Sequence, residues 1–235
     1  MSCSGRGALL FFIACGLYGC AGNLSVLDPA GPSAAATATL GIVMFSGATL
    51  ILLLVTALVL LALWKPGLGA RIPQRVWLVW GGLVFTGSVL AALLVFALAT
   101  GERLLPHRGE DVLAIEARPE QWRWHFRYPD GRETEDVLHL PAGRPIDIRV
   151  VGGDVIHSFW VPRLAGKIDA IPGHVNTIRI LADRPGTFGG VCSEFCGVGH
   201  TDMRFTAMAH AAEAYPAALD AATAGGVRLA QEGTW

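Results

Sequence analysis

Two long apolar stretches dominate the first half of the chain. Residues 29–64 carry no charged side chain, and neither do residues 76–101. At about 1.5 Å per helical residue, each stretch is long enough to cross a hydrocarbon core of about 30 Å. Buried core helices are the alternative, but they seldom lack every charge over such a length. The pattern therefore predicts transmembrane helices at residues 40–64 and 76–101.

The short loop between these helices, residues 65–75, contains three basic side chains and no acidic one. Loops with an excess of Lys and Arg lie on the cytoplasmic side of the membrane. We therefore expect the loop in the cytoplasm and both ends of the chain in the periplasm.

The first 20 residues have the layout of a secretory signal, with Arg6, an apolar core and small residues before Cys20. Leu-Tyr-Gly-Cys at the end of this stretch is similar to a bacterial lipoprotein processing box. We expect a signal peptide at residues 1–19, a lipidated Cys20 and a periplasmic tether at residues 20–39. Because Tyr18 is bulky for such a box, an uncleaved third anchoring helix is the alternative.

The second half of the chain alternates apolar and polar positions with a period of two, as expected when one face of a strand is buried. Pro and Gly separate these segments and predict turns. Short strands and turns over about 100 residues indicate a β-sandwich or barrel, here at residues 102–212, followed by a tail or helix at 213–235. The alternating segments are residues 122–128, 146–150 and 177–180.

The composition agrees with this division, since 52% of the residues are hydrophobic and only 16% are charged. From Glu102 onward there are 14 basic and 18 acidic side chains, a formal balance of −4. An acidic soluble half suits a basic partner protein and gives no indication of nucleic-acid binding.

Four metal-binding side chains lie within residues 192–203: Cys192, Cys196, His200 and Met203. Two thiolates, an imidazole and a thioether are soft to borderline donors, which suits copper. A mononuclear blue copper site uses a single Cys. Two thiolates can instead bridge two metals, so this loop could hold a pair of coppers that share one odd electron.

One loop still supplies too few ligands for two metals, so a further donor has to come from elsewhere in the fold. His157 is the best candidate, because it follows the predicted strand that ends near Val151. The other histidines have no such setting, and we expect them to be surface or hydrogen-bonded side chains. They are His107, His125, His139, His174 and His210.

Three other interpretations compete for the cysteine loop. The first is a disulfide between Cys192 and Cys196 in an oxidising compartment. The second is a tetrahedral zinc site of the two cysteines with His157 and His200, which would leave Met203 unused. The third is a thioredoxin-like copper chaperone, which also has two Cys four residues apart but whose His lies far downstream of them.

Four segments together resemble subunit II of cytochrome c oxidase, and the resemblance covers most of the chain. It implies a two-helix transmembrane hairpin followed by an all-β cupredoxin-like periplasmic domain, a Greek-key sandwich or barrel. The segments are Gln121-Trp122-Arg123-Trp124, His157-Ser158-Phe159-Trp160-Val161-Pro162, Lys167-Ile168-Asp169-Ala170-Ile171-Pro172-Gly173, and the loop from Cys192 to Met203.

The resemblance also implies how two copper ions, the CuA pair, would be bound. Both thiolates bridge the two metals. His157 and Met203 complete one copper. His200 and the backbone carbonyl of Glu194 complete the other, and the Glu194 side chain points toward a magnesium site at the contact with subunit I. The implied ligands are His157, Cys192, Glu194, Cys196, His200 and Met203.

Two further residues acquire roles from the family. Trp122 corresponds to the tryptophan through which cytochrome c delivers its electron, although from its alternation with Trp124 and Phe126 it could equally belong to the core. Asp154 matches an acidic residue that helps cytochrome c to dock. In contrast, Gln74 or Arg75 stands where the family often has a Glu at the mouth of a proton channel, so proton uptake by that route is in doubt.

The implied function is electron transfer from cytochrome c to the copper pair and on to the haems of subunit I, where oxygen is reduced to water and protons are pumped. Expected partners are subunits I and III, cytochrome c and lipid, in a multi-pass chain of the bacterial inner membrane. No haem is expected on this chain, because no Cys-x-x-Cys-His segment occurs. The alternative is a periplasmic copper carrier or delivery protein. A quinol oxidase subunit II would lack these ligands.

Overall fold

A computed structural model describes residues 21–69, 71–105 and 112–232. The predicted signal peptide and Cys20 lie outside these residues. The helical unit contains two helices that are long and apolar enough to cross a membrane, Pro32–Trp64 and Gln74–Glu102, with mean hydropathies of 2.6 and 2.3. Its elements are α1 (Pro32–Trp64), α2 (Pro66–Gly69), α3 (Gln74–Val76), a π-helical segment (Trp77–Phe85) and α4 (Thr86–Leu104).

The prediction of two long apolar helices is confirmed. The first helix begins at Pro32, eight residues before the predicted start at residue 40. Proline is favourable in a first helical turn because its missing N–H would have no partner there. The apolar pattern could not locate this start, because the preceding Ala-rich turns are neither charged nor strongly hydrophobic.

Within residues 112–232 the second unit has ten strands in two five-stranded sheets, ordered β3-β2-β1-β5-β8 and β4-β10-β9-β6-β7. One parallel pair occurs in each sheet, β1 with β5 and β4 with β10, and the other pairs are antiparallel. The predicted cupredoxin-like β domain is confirmed. The strands are β1 (Leu113–Glu120), β2 (Arg123–Arg127), β3 (Glu133–Glu135), β4 (Val137–Pro141), β5 (Ile146–Val151), β6 (His157–Trp160), β7 (Ile168–Ala170), β8 (Val175–Ile180), β9 (Gly186–Cys192) and β10 (Arg204–His210).

The alternating positions of the strands form the core between the sheets. In β5, Ile146, Ile148 and Val150 are fully buried and the charged residues between them are not. An aromatic cluster of Trp124, Phe126, Phe159 and Phe205 joins strands from both sheets, with ring centroids 5.0 to 6.4 Å apart. Its Trp124 also lies edge-on to the ring of His157, at 6.5 Å. The core therefore extends directly to the first histidine of the candidate site.

The segment that precedes α1 packs against the β-sandwich. The backbone N–H of Ala30 donates to the carbonyl of Arg163 at 2.7 Å, and the N–H of Asp183 donates to the carbonyl of Ala30 at 2.9 Å. The Arg163 side chain bonds both the carbonyl and the carboxylate of Asp28. Part of the stretch for which we expected a tether, residues 20–39, is thus attached to the sandwich along its backbone.

The C-terminal region from Tyr215 to Glu232 forms helix α5, where the sequence left a tail or a helix open. Its Leu219 is buried, and Asp220 forms an ion pair with Arg132 of the sandwich. The helix therefore contacts the edge strands β3 and β4, one from each sheet, and β10, whose N-terminal end follows the cysteine loop.

Candidate metal centre

The cysteine loop is a closed connection between two neighbouring strands. β9 ends at Cys192 and β10 begins at Arg204. The N–H of Cys192 donates to the carbonyl of Met203 at 3.0 Å, which closes the base of the loop. Within it, Gly197 has a φ of +117°, a conformation that glycine adopts without strain. Strand pairing and this turn together bring residues 192 and 203 to the same point.

Both cysteine side chains are buried, and their Sγ atoms lie 3.8 Å apart. A disulfide requires an S–S distance of about 2.05 Å. Cys192 and Cys196 are free thiols in this structure, so the disulfide interpretation receives no support from it.

The other expected donors surround this pair of sulfurs. His157 is fully buried at the start of β6, with Nδ1 3.7 Å from Sγ of Cys192. On the other side, Nδ1 of His200 lies 3.7 Å and Sδ of Met203 lies 3.8 Å from Sγ of Cys196. The donor atoms of His157 and both cysteines lie within 4.8 Å of one another. The histidine chosen from outside the loop thus lies beside it.

The sixth expected donor is a backbone atom. The carbonyl oxygen of Glu194 lies 3.3 Å from Sγ of Cys192. The Glu194 carboxylate points elsewhere, with Oε2 3.5 Å from Nζ of Lys167, and both side chains are exposed. The expected magnesium role of this carboxylate stays a prediction.

The spacing of these donors fits metal coordination. Two donors bonded to one metal at about 2.0 to 2.3 Å with near-tetrahedral angles lie roughly 3.3 to 3.8 Å apart, close to the separations of 3.7 and 3.8 Å observed here. Met203 is 1% exposed and faces the same sulfur as His200. A zinc site would leave it unused, whereas thioether and thiolate ligands suit copper.

Burial keeps the thiol of Cys196 protonated in the absence of metal. Burial and the adjacent Cys192 raise the pKa of the Cys196 thiol to about 12. Thiolate is the form that binds metal, so loading this centre releases protons.

An acidic side chain lies behind His157. Oδ1 of Asp154 is 2.9 Å from Nε2 of His157, and the same carboxylate accepts hydrogen bonds from the N–H groups of Val155 and Gln121. Partial burial opposes ionisation of Asp154, but these hydrogen bonds outweigh it and lower the pKa of the carboxyl group. Asp154 is therefore an anion that holds the distal nitrogen of the buried imidazole.

Comparison with known proteins matches this architecture to one family. A sequence model of the periplasmic domain of cytochrome c oxidase subunit II matches residues 132–209. Cytochrome c oxidase subunit 2 of Alkalihalophilus pseudofirmus is 33% identical over 234 residues, which are 92% of this chain and 67% of that protein. The chain belongs to the cytochrome c oxidase subunit II family.

Other members of the family match shorter regions. The Synechocystis cytochrome c oxidase subunit 2 is 37% identical over 108 residues, 46% of this chain and 32% of that protein. A crystal structure of the periplasmic domain of subunit II of cytochrome oxidase from Bradyrhizobium japonicum is 30% identical. The match covers 49% of this chain and 96% of the Bradyrhizobium chain, with a TM-score of 0.46.

The tryptophan of the subunit II motif lies directly on the cysteine loop. Trp122 precedes β2 and is 39% exposed, unlike the fully buried Trp124, so it is not part of the core. Its Nε1 is 3.3 Å from the carbonyl oxygen of Cys196, to which the Gln121 amide also donates at 2.7 Å. An exposed aromatic ring thus contacts the backbone of a proposed metal ligand.

Sequence reasoning missed the contacts made by Asp154 and Gln121. The spacing Asp154-x-x-His157 is a signal that could have indicated the first, because a metal-binding histidine often donates its other N–H to a carboxylate. No comparable signal exists for the second, since its acceptor is a backbone carbonyl 75 residues away.

Proposed function

We propose that this chain is the electron-accepting subunit of a haem-copper cytochrome c oxidase. It would take electrons from cytochrome c at a dinuclear CuA centre and pass them to the haems of subunit I, where oxygen is reduced to water and protons are pumped. One observation carries this proposal: two free thiols lie 3.8 Å apart, each within 3.7 Å of a histidine Nδ1, and the thioether of buried Met203 lies 3.8 Å from one of the sulfurs. A single tetrahedral zinc would use the thiols and the histidines but would leave Met203 without a role.

The residues divide into two ligand sets around the sulfur pair. His157 and Met203 would complete one copper, and His200 with the Glu194 carbonyl the other. Two coppers bridged by thiolates can share one odd electron, so that the bond-length changes on reduction are small. The chain's part is to keep the ligands rigid and dry, which the burial of His157 and Met203 favours.

Electron uptake would occur at Trp122. Its exposed edge is accessible to a partner protein, while its indole N–H bonds the carbonyl of Cys196. The acidic balance of the second half of the chain favours a basic cytochrome c as that partner. We propose subunits I and III as further partners, lipid around the two apolar helices, and an inner-membrane location with the β domain in the periplasm.

The test uses the full chain in detergent, loaded with copper. We expect two coppers per chain and an electron paramagnetic resonance spectrum of one unpaired electron shared equally between them. Cys196→Ser leaves one thiolate and should convert this to the spectrum of a single cupric ion, whereas Ser193→Ala in the same loop should retain the shared electron. An isolated cupric ion in the unmodified chain would contradict the proposal.

A copper carrier outside any oxidase would pass part of that test. Purification of the tagged chain from its native membrane separates the two functions. We expect a much larger haem-bearing membrane protein to copurify, and its absence would favour the carrier.

A further inference from the structure

One carboxylate connects the candidate metal centre to the segment that carries Trp122. Oδ1 of Asp154 contacts Nε2 of His157 at 2.9 Å, and Oδ2 accepts the backbone N–H of Gln121 at 2.8 Å. Gln121 immediately precedes Trp122, and His157 begins β6. Asp154 thus contacts Gln121, 33 residues before it in the chain, and His157, three residues after it.

We propose that Asp154 is a positioning residue that holds His157 and Trp122 in register with the metal centre. The proposal rests on the proposed function of that centre. A neutral imidazole carries its proton on one nitrogen, and the hydrogen bond of the other atom decides which. The Asp154 carboxylate can only accept, so it places the proton of His157 on Nε2. Nδ1, 3.7 Å from Sγ of Cys192, keeps its lone pair for a metal.

The charge of Asp154 has a second effect. A carboxylate hydrogen-bonded to the distal nitrogen makes an imidazole a stronger electron donor to its metal. His157 is fully buried, so water screens this interaction little. A stronger donor stabilises the more oxidised metal, and loss of the carboxylate charge should therefore raise the reduction potential of the centre.

Asparagine is a sharp probe, because both oxygens of Asp154 accept hydrogen bonds from N–H groups. An amide has one acceptor oxygen, and its NH₂ group would face an N–H donor on the other side. Asp154→Asn must therefore lose either the His157 contact or the Gln121 contact while its size is unchanged.

The family resemblance gives Asp154 another role, the docking of cytochrome c. A docking charge acts on association and is screened by salt, whereas a positioning residue acts at any ionic strength and in the absence of the partner. Glu120 provides a matched control, because it is exposed and lies beside Gly153 on the same surface.

The first measurement uses the copper-free full chain, so that its result does not depend on the proposed function. Nitrogen-15 shifts of the His157 ring should show the proton on Nε2 alone. In Asp154→Asn either the two His157 tautomers should mix or the backbone amide proton of Gln121 should exchange faster with solvent, and in Glu120→Gln neither should change. An Asp154→Asn variant in which both the His157 tautomer and the Gln121 amide exchange are unchanged would overturn the proposal.

The second measurement uses the copper-loaded chain. Asp154→Asn should raise the reduction potential and slow electron uptake even at high salt, and Asp154→Glu, which restores the charge, should recover part of both. Glu120→Gln should leave the potential unchanged. If Asp154→Asn affects uptake only at low salt and leaves the potential unchanged, Asp154 serves docking alone and the inference is wrong. Failure of the unmodified chain to form a shared-electron centre would instead contradict the proposed function.

Discussion

The indole of Trp122 lies against the backbone of Gly199, so close that a Cβ at residue 199 would lie 2.5 Å from Cδ2 of the ring. Real Cβ atoms do not approach other atoms so closely. Gly199 immediately precedes His200, one of the expected ligands. The absence of a side chain at residue 199 is therefore what lets an exposed aromatic ring reach the loop that carries the metal-binding groups.

Gly199→Ala should displace Trp122 from the loop. A misplacement of about 1 Å can slow a reaction step about 10²-fold, and we expect electron uptake from cytochrome c to fall by about tenfold or more. Tryptophan fluorescence should change as the ring moves. Gly166→Ala is the control, because a Cβ at residue 166 has no atom within 4 Å. Uptake at the unmodified rate in Gly199→Ala would contradict the prediction.

Trp122→Phe tests the ring itself. Phenylalanine keeps an aromatic face but loses the N–H that bonds the carbonyl of Cys196 at 3.3 Å. We expect slower electron uptake with the copper spectrum unchanged, because Trp122 supplies no ligand. Stopped-flow reduction by cytochrome c measures the rate. A normal rate would mean that Trp122 only packs on the loop.

The pair of histidines at the outer side of β4 and β10 predicts a pH dependence. Nδ1 of His139 lies 2.9 Å from Nε2 of His210. Burial lowers the pKa of both imidazoles, and the neighbouring His210 lowers that of His139 further. Below the usual value of about 6.5, the unfolded chain therefore binds more protons than the folded one.

The stability contributed by this pair is complete above about pH 6.5 and decreases as the pH falls below that value. We expect the urea midpoint of the β domain, followed by tryptophan fluorescence in detergent, to be lower at acidic than at neutral pH. His210→Gln should make the midpoint less dependent on pH over this range. An equally steep dependence in this variant would show that other groups are responsible.

Gly31→Ala should loosen the segment that precedes α1. A Cβ at residue 31 would lie 2.1 Å from the carbonyl oxygen of Leu181 and 3.0 Å from that of Leu164. Backbone atoms cannot move aside cheaply, and overpacking of this kind lowers the free energy of unfolding by about 1 to 3 kcal/mol. Thermal unfolding and protease cleavage near Ala30 measure the effect. Gly166→Ala, outside any helix or strand and with no atom within 4 Å of the added Cβ, should change neither.

The local sequence pattern was sufficient to predict much of the secondary structure and most of the candidate metal ligands of this protein. Charge-free stretches predicted both long helices, because a helix in lipid has to be apolar along its whole length. Alternation predicted all of β2, most of β5 and the second part of β8, because side chains of a strand point to opposite faces. The donors between Cys192 and Met203 were recognisable because one short loop carries them.

Only the tertiary structure decided how distant residues meet. β6 pairs with β9, and the register that places Phe159 opposite Cys192 is what brings His157 to the sulfur pair. The contacts of Trp122 with the carbonyl of Cys196, and of Ala30 with the sandwich, involve backbone atoms that every residue possesses. Periodicity and side-chain chemistry report what a segment buries and which donors it carries. Which distant residue a given side chain contacts depends on strand pairing, which no local pattern specifies.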